Sequence, residues 1–121
     1  MKPVSYMTAA MCVLSFGPGV LPAMADSVKK EMTGQQLAFD NKKGNCLGCH
    51  TAPTDPAAVT QANIGPPLIV ISQRYPDKAK LRTQIWDATV ANPKTVMPPF
   101  GRHSILTEQE IDKVVDYVFG L

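Results

Sequence analysis

Cys46 and Cys49 stand two residues apart and His50 follows at once, in the stretch Cys46-Leu47-Gly48-Cys49-His50. Two thiols at this spacing reach the two vinyl groups of one porphyrin, and the adjoining imidazole then sits beneath the iron. A C-x-x-C-H sequence in an exported chain therefore reads as the attachment site of a c-type haem. On that reading Cys46 and Cys49 carry thioether bonds and His50 is the proximal ligand. Two other chemistries use a C-x-x-C pair. A thioredoxin-like redox pair expects a βαβ context that the later sequence does not offer. A zinc site needs two more ligands, and the other histidine in the chain is His103.

The second axial position points to Val96-Met97-Pro98-Pro99-Phe100-Gly101. Two prolines hold the backbone extended directly after Met97, and a flexible thioether needs such a mount if its sulfur is to rest against iron. Plain core packing is the usual role of a methionine, but the exported part of the chain has only Met32 besides Met97. His103, six residues on, is the rival ligand. A histidine bound to metal commonly donates its other ring N–H to a carbonyl or carboxylate. Gly65-Pro66-Pro67-Leu68 offers carbonyls on rigid backbone, which makes the Pro66 carbonyl the candidate acceptor for His50; an ordinary surface turn is the alternative. Arg74 and Arg102 are candidates for the haem propionates or for a partner surface, with solvated surface as the alternative.

The elements that must position these residues are helical. Thr33-Gly34-Gln35-Gln36 fits a capping box and predicts a first helix to about Lys43, stopped by Gly44, that delivers Cys46 to the porphyrin edge. Thr51 to Leu68 is a loop by its prolines, glycine and small polar residues. Asp77 to Ala91 reads as a second helix between Pro76 and Asn92-Pro93, with Leu81 and Ile85 facing the core and Lys78, Lys80 and Arg82 on a solvated flank; a cluster that guides an acidic partner or an anionic substrate is the alternative. Thr107-Glu108-Gln109-Glu110 is another capping box. The stripe Ile111, Val114, Val115 and Val118 follows it at i, i+3, i+4 and i+7, flanked by Tyr117 and Phe119. That last helix should cross the first and close the haem pocket.

Ahead of all this, Lys2, the apolar run Met7 to Phe16, the break Gly17 to Pro22 and the A-x-A site Ala23-Met24-Ala25 read as a signal peptide spanning 1–25. The run is too short and too interrupted for a membrane anchor, and Met11 stands where a lipoprotein signal before Cys12 needs a small residue. Cleavage after Ala25 leaves 96 of the 121 residues, a single cytochrome-like domain over 26–121, in the periplasm. Loss of Lys2 takes the formal charge from +2 to +1, which gives no case for nucleic-acid binding. One domain of this size has a small core, and a buried porphyrin would supply its centre. No internal repeat or low-complexity tract appears.

With these parts assembled, the mature chain resembles class I cytochrome c: a first helix into C-x-x-C-H, a G-P-x-L loop, a proline-followed methionine and a C-terminal helix. The resemblance implies an all-α fold packed around one covalent haem c. Ala62-Asn63-Ile64-Gly65-Pro66-Pro67-Leu68, Arg74-Tyr75-Pro76-Asp77-Lys78, Gln84-Ile85-Trp86-Asp87-Ala88-Thr89 and Met97-Pro98-Pro99-Phe100-Gly101-Arg102-His103 are similar to the SoxX family, from about Gly44 to Leu121. That family is the monohaem subunit of the SoxAX cytochrome of sulfur-oxidising bacteria. The resemblance implies Cys46 and Cys49 as haem-linking cysteines, His50 as proximal and Met97 as distal ligand. It also implies a heterodimer with a SoxA subunit that acts as an L-cysteine S-thiosulfotransferase on the SoxYZ carrier complex. This subunit would not be catalytic alone: it would accept electrons and pass them to a downstream acceptor such as a small cytochrome c. The other reading of the same residues is a free-standing soluble electron shuttle in a respiratory or photosynthetic chain. A third, from another class, is a haem enzyme or gas sensor with a labile sixth ligand.

Overall fold

A computed structural model describes residues 30–121; the signal-peptide reading and its cleavage site fall outside the described residues. The fold is built of four α-helices, α1 (Gly34–Phe39), α2 (Ile71–Arg74), α3 (Lys78–Trp86) and α4 (Glu108–Phe119). Two 3-10 turns, Cys46–Gly48 and Ala88–Val90, complete it, and there is no strand among the described residues. The all-α expectation therefore holds.

Both capping boxes form as the sequence implies. Thr33 accepts from the Gln36 amide while Gln36 reaches back to the Thr33 amide, and Thr107 and Glu110 do the same at the start of α4. α1 is shorter than expected. Asp40 leaves helical backbone, its carboxylate accepts from the Lys42 N–H, and its carbonyl accepts from the Asn45 N–H. This local bonding competes with further helix, so the chain turns four residues before Lys43. Gly44 then tucks beneath the helix end, its N–H donating to the Leu37 carbonyl at 2.9 Å.

The expected second helix also divides. α3 begins on Asp77, whose side chain accepts from the Ala79 N–H, but it ends at Trp86. Asp87 is extended and its carboxylate accepts from the Thr89 amide and hydroxyl, opening the turn Ala88–Val90. α2 was not legible in advance. It is entered through Val70, which sits in the left-handed region at φ 48°, an outlier conformation for a β-branched residue.

The core lies between α1, α3 and α4. Ile111, Val114, Val115 and Val118 are buried as one stripe on α4, together with Leu37, Ile71, Leu81, Ile85, Phe100 and Leu106. Each such aliphatic side chain contributes about 1.5–3 kcal/mol on burial. α1 crosses α4 with the backbones nearly touching at Gly34, where a Cβ would fall 2.9 Å from Tyr117 Cβ and overlap the Lys113 carbonyl. Phe39 meets Tyr117 edge to face with ring centroids 6.0 Å apart.

The basic flank of α3 is not simply solvated. Lys78 pairs with Asp116 at 2.7 Å, and Arg82 pairs with Asp112 at 2.7 Å and Glu108 at 3.0 Å. The chain's own α4 takes up these charges because the two helices pack side by side, which Lys78 and Arg82 cannot reveal from their own positions in the sequence.

Candidate haem-binding cleft

α1 and the turn after it carry the chain into Cys46–Gly48. Asn45 takes a left-handed conformation at φ 46°, one that asparagine tolerates, and so aims Cys46 inward. The N–H groups of Cys49 and His50 both donate to the Cys46 carbonyl, at 3.1 and 2.9 Å. Both thiols are free. Burial pushes the Cys46 thiol up to about 11. Among the described residues no three His, Cys, Asp or Glu side chains gather as a metal site would require.

His50 Nδ1 lies 2.7 Å from the Pro66 carbonyl. A carbonyl can only accept, so Nδ1 carries the proton and Nε2 keeps its lone pair. The ring is thereby set in the tautomer of a metal ligand. The loop that supplies Pro66 is laced to the Cys-His segment: Gly65 N–H donates to the Cys49 carbonyl at 2.8 Å, Leu68 N–H to the Thr51 carbonyl at 2.7 Å, and Thr60 Oγ1 to the Leu47 carbonyl at 2.8 Å. Sequence reasoning missed Gly65. Its backbone presses on the imidazole, so that a Cβ there would meet three ring atoms. The signal was its place directly before Pro66.

The same loop is anchored to the helices at Asp55, whose carboxylate accepts from Gln35 Nε2 and from Tyr117 Oη, both at 2.6 Å. The Tyr117 bond first, then the Gln35 bond, hold the Asp55 carboxyl below its ordinary value. Burial, and next the Asp55 bond, push the Tyr117 phenol above its own.

Met97 is mounted on the far end of α3. Its N–H donates to Thr95 Oγ1 at 3.2 Å, and the turn after it folds back onto Trp86. Gly101 N–H donates to the Trp86 carbonyl at 3.0 Å, and the indole lies so close to Gly101 that a Cβ there would overlap it. Arg102 then pairs with the buried Asp87 at 3.0 Å. Arg102, its side chain largely exposed, thus braces the methionine turn from the surface. Gln84 Nε2 approaches Met97 Sδ at 3.9 Å.

These segments enclose one cleft with two lobes. An outer lobe is bordered by Cys46, Cys49, His50, Gly65, Pro66 and Met97. An inner lobe shares Cys46, His50, Pro66 and Phe100 with it and runs inward against Leu68, Ile71, Leu81, Ile85 and Val114. Arg74 borders the inner lobe and its Nη1 donates to the Pro67 carbonyl at 3.2 Å. Cys46, Cys49, His50, Pro66, Arg74 and Met97 therefore come together, whereas His103 lies exposed and borders neither lobe. The residues present fit a porphyrin: apolar walls, two thiols at one edge, an imidazole with a free Nε2 and a thioether on the same cleft.

Comparison with known proteins agrees with this chemistry. Residues 30–118 match the family described as cytochrome C oxidase, cbb3-type, subunit III. An uncharacterized lipoprotein of Aquifex aeolicus (strain VF5) is 35% identical over 78 residues, which is 64% of this chain. The match covers 37% of that lipoprotein, so this chain spans little more than a third of its length. A chain in the crystal structure of SoxXA from P. pantotrophus is similar at 26% identity with a TM-score of 0.64, over 71% of this chain and 77% of that one. The chain belongs to the cytochrome c family that the cbb3-type subunit III description covers, and it is a SoxX-like cytochrome with covalently bound haem c.

Proposed function

We propose that this protein is a periplasmic electron carrier of sulfur oxidation, holding one haem c through Cys46 and Cys49 with His50 and Met97 as axial ligands. The observation that carries the reading is the His50 Nδ1 to Pro66 carbonyl bond of 2.7 Å, which leaves Nε2 as a donor into a cleft that Met97 also borders. Haem held between a histidine and a methionine supplies reversible one-electron transfer at a raised potential. The chain's own residues decide the rest. Two axial side chains leave no position for substrate, so the cleft serves electron transfer and not bond making. Arg74 stands at the inner lobe with its guanidinium braced on Pro67, where it can neutralise a propionate.

The likeness to SoxXA supports an electron source in sulfur oxidation. Joining thiosulfate to a carrier-protein thiol forms an S–S bond, releases the thiol proton and liberates two electrons. The carrier takes them one at a time from a SoxA-type partner working on a SoxYZ-type carrier protein, and hands them to a small cytochrome c or similar acceptor. The mouth of the cleft suits a lasting partner. Ile64 and Val96 stand 65% and 77% exposed on its rim beside Pro66 and Pro98. Docking through these apolar rim residues should vary little with salt.

Isolation of the native protein at low and at high salt tests this. A haem-containing heterodimer that persists at both supports the reading; a lone monomer would favour the free-standing shuttle. Among the described residues no helix is long and apolar enough to cross a membrane.

A further inference from the structure

Met97 rides on a loop whose two ends are tied at one place. The chain leaves α3 at Trp86 and Asp87 and comes back to the same two residues at Gly101 and Arg102. There the Trp86 carbonyl accepts from the Gly101 N–H at 3.0 Å and from the Arg102 N–H at 3.4 Å. The Asp87 side chain ties the ends a second time. Its Oδ1 accepts from the Thr89 N–H at 3.0 Å and from the Thr89 hydroxyl, where the chain departs; its Oδ2 accepts from Arg102 Nη1 at 3.0 Å, where the chain returns. Arg102 Nη1 also reaches Thr89 Oγ1, at 3.5 Å. Asp87 is buried, 6% exposed, and Arg102 comes to it from the surface. A carboxylate taken out of water is costly unless its oxygens are paired, and here each oxygen serves one end of the loop. Between the ends, Val90 and Val96 are exposed, and the bonds from Asn92 N–H to the Ala88 carbonyl and from Thr95 N–H to the Asn92 carbonyl stay within the loop.

We propose that Asp87 is a positioning residue for Met97: by clamping both ends of the loop it keeps the thioether in the cleft and the sixth coordination position shut against small ligands. This rests on the reading of Met97 as an axial ligand. Asp87 borders neither lobe, so it acts through the loop and not on the iron. With the clamp broken, the backbone bonds at Trp86 alone hold the ends, and the loop opens more often without unfolding α1, α3 or α4. An added ligand reads that opening, because its apparent dissociation constant is the intrinsic constant divided by the open fraction.

The test titrates the oxidised, haem-loaded protein, expressed in the periplasm, with imidazole, and repeats it on Asp87→Asn, Arg102→Ala, their double variant and Ile111→Val. Asparagine keeps the size and an acceptor for Thr89 but offers Arg102 no charge; alanine removes the cation. Ile111 is buried on α4 and borders neither lobe, so its truncation weakens the fold as a whole. Each clamp variant should bind imidazole about 10–100-fold more tightly, the range set by a hydrogen bond to a charged group. The double variant should gain no more than the larger single, since both remove one interaction, and Ile111→Val should leave the affinity unchanged. Without imidazole the ferric sulfur-to-iron band should persist in all four. Unchanged affinity in both clamp variants, an equal gain in Ile111→Val, or a double variant whose gain is the product of the singles would overturn the proposal. Should Asp87→Asn give no folded holoprotein, Arg102→Ala against Ile111→Val decides. Absence of the band from the unsubstituted protein would instead refute Met97 as ligand.

Discussion

Replacement of Gly65 by alanine separates the imidazole clamp from ordinary loop behaviour, because the two predict opposite signs. Gly65 is not in the left-handed region, so its backbone suits any residue. At such a site Gly→Ala normally stabilises by about 0.4–1 kcal/mol by restricting the unfolded chain. Here the methyl would meet three atoms of the His50 ring, the most distant being Nε2 at 2.8 Å. Neither group can retreat. Gly65 N–H is bonded to the Cys49 carbonyl at 2.8 Å, Leu68 N–H to the Thr51 carbonyl at 2.7 Å, and the ring to Pro66 at 2.7 Å. Relief means overpacking strain of about 1–3 kcal/mol, or loss of one of these bonds at about 1 kcal/mol net. After the entropic gain a loss of about 1–2 kcal/mol remains. At about 4–8 °C per kcal/mol for a domain of this size, the melting temperature of the haem-loaded Gly65→Ala protein should fall by roughly 5–15 °C. Thermal unfolding followed by far-ultraviolet circular dichroism reads this directly. A melting temperature equal to or above that of the unsubstituted protein would refute the clamp.

Other perturbations probe other parts of the same frame. Tyr117→Phe removes the strongest cause of the low Asp55 carboxyl value. A depressed carboxyl stabilises the fold above its unfolded value near ~3.9 and loses that contribution as pH falls through the folded value. The acid midpoint of unfolding in Tyr117→Phe should therefore move to higher pH, and identical acid titrations would contradict the network. Val70→Gly relieves a left-handed β-branched residue that is 45% exposed; a gain of about 1 kcal/mol in urea unfolding is expected, and a loss would show that Val70 packing outweighs its strain. Arg102→Ala leaves the buried Asp87 carboxylate without its cation, so stability should drop by more than in Arg102→Lys, which keeps the charge; equal losses would contradict the pairing. Met97→Ala should open the sixth position and allow rapid carbon monoxide binding to the reduced protein, since His103 borders neither lobe of the cleft. Inertness toward carbon monoxide would mean that another side chain takes its place.

What could be read in advance was local. The capping boxes at Thr33 and Thr107, the valine stripe of α4 and the Cys-His motif each declare themselves within a few residues. The Pro66 carbonyl was legible as well, because rigid backbone lacking N–H groups has only acceptors to offer. The misses come from contacts between distant residues. α3 breaks at Asp87 because Thr89 and Arg102 claim the carboxylate, and Arg102 arrives fifteen residues later. Lys78 and Arg82 looked like a solvated flank until α4 brought Asp112, Asp116 and Glu108 beside them. Gly65 and Gly101 read as turn residues, yet each is small because a ring, His50 or Trp86, lies on it.

The most direct test of the whole reading is the near-infrared absorption of the haem-loaded protein, oxidised and then reduced, with and without Met97→Ala. The expected result is a weak ferric sulfur-to-iron charge-transfer band that disappears on reduction and is missing from the variant. Covalent haem without that band in the unsubstituted protein would contradict His50 and Met97 as the axial pair, and with it the electron-carrier assignment.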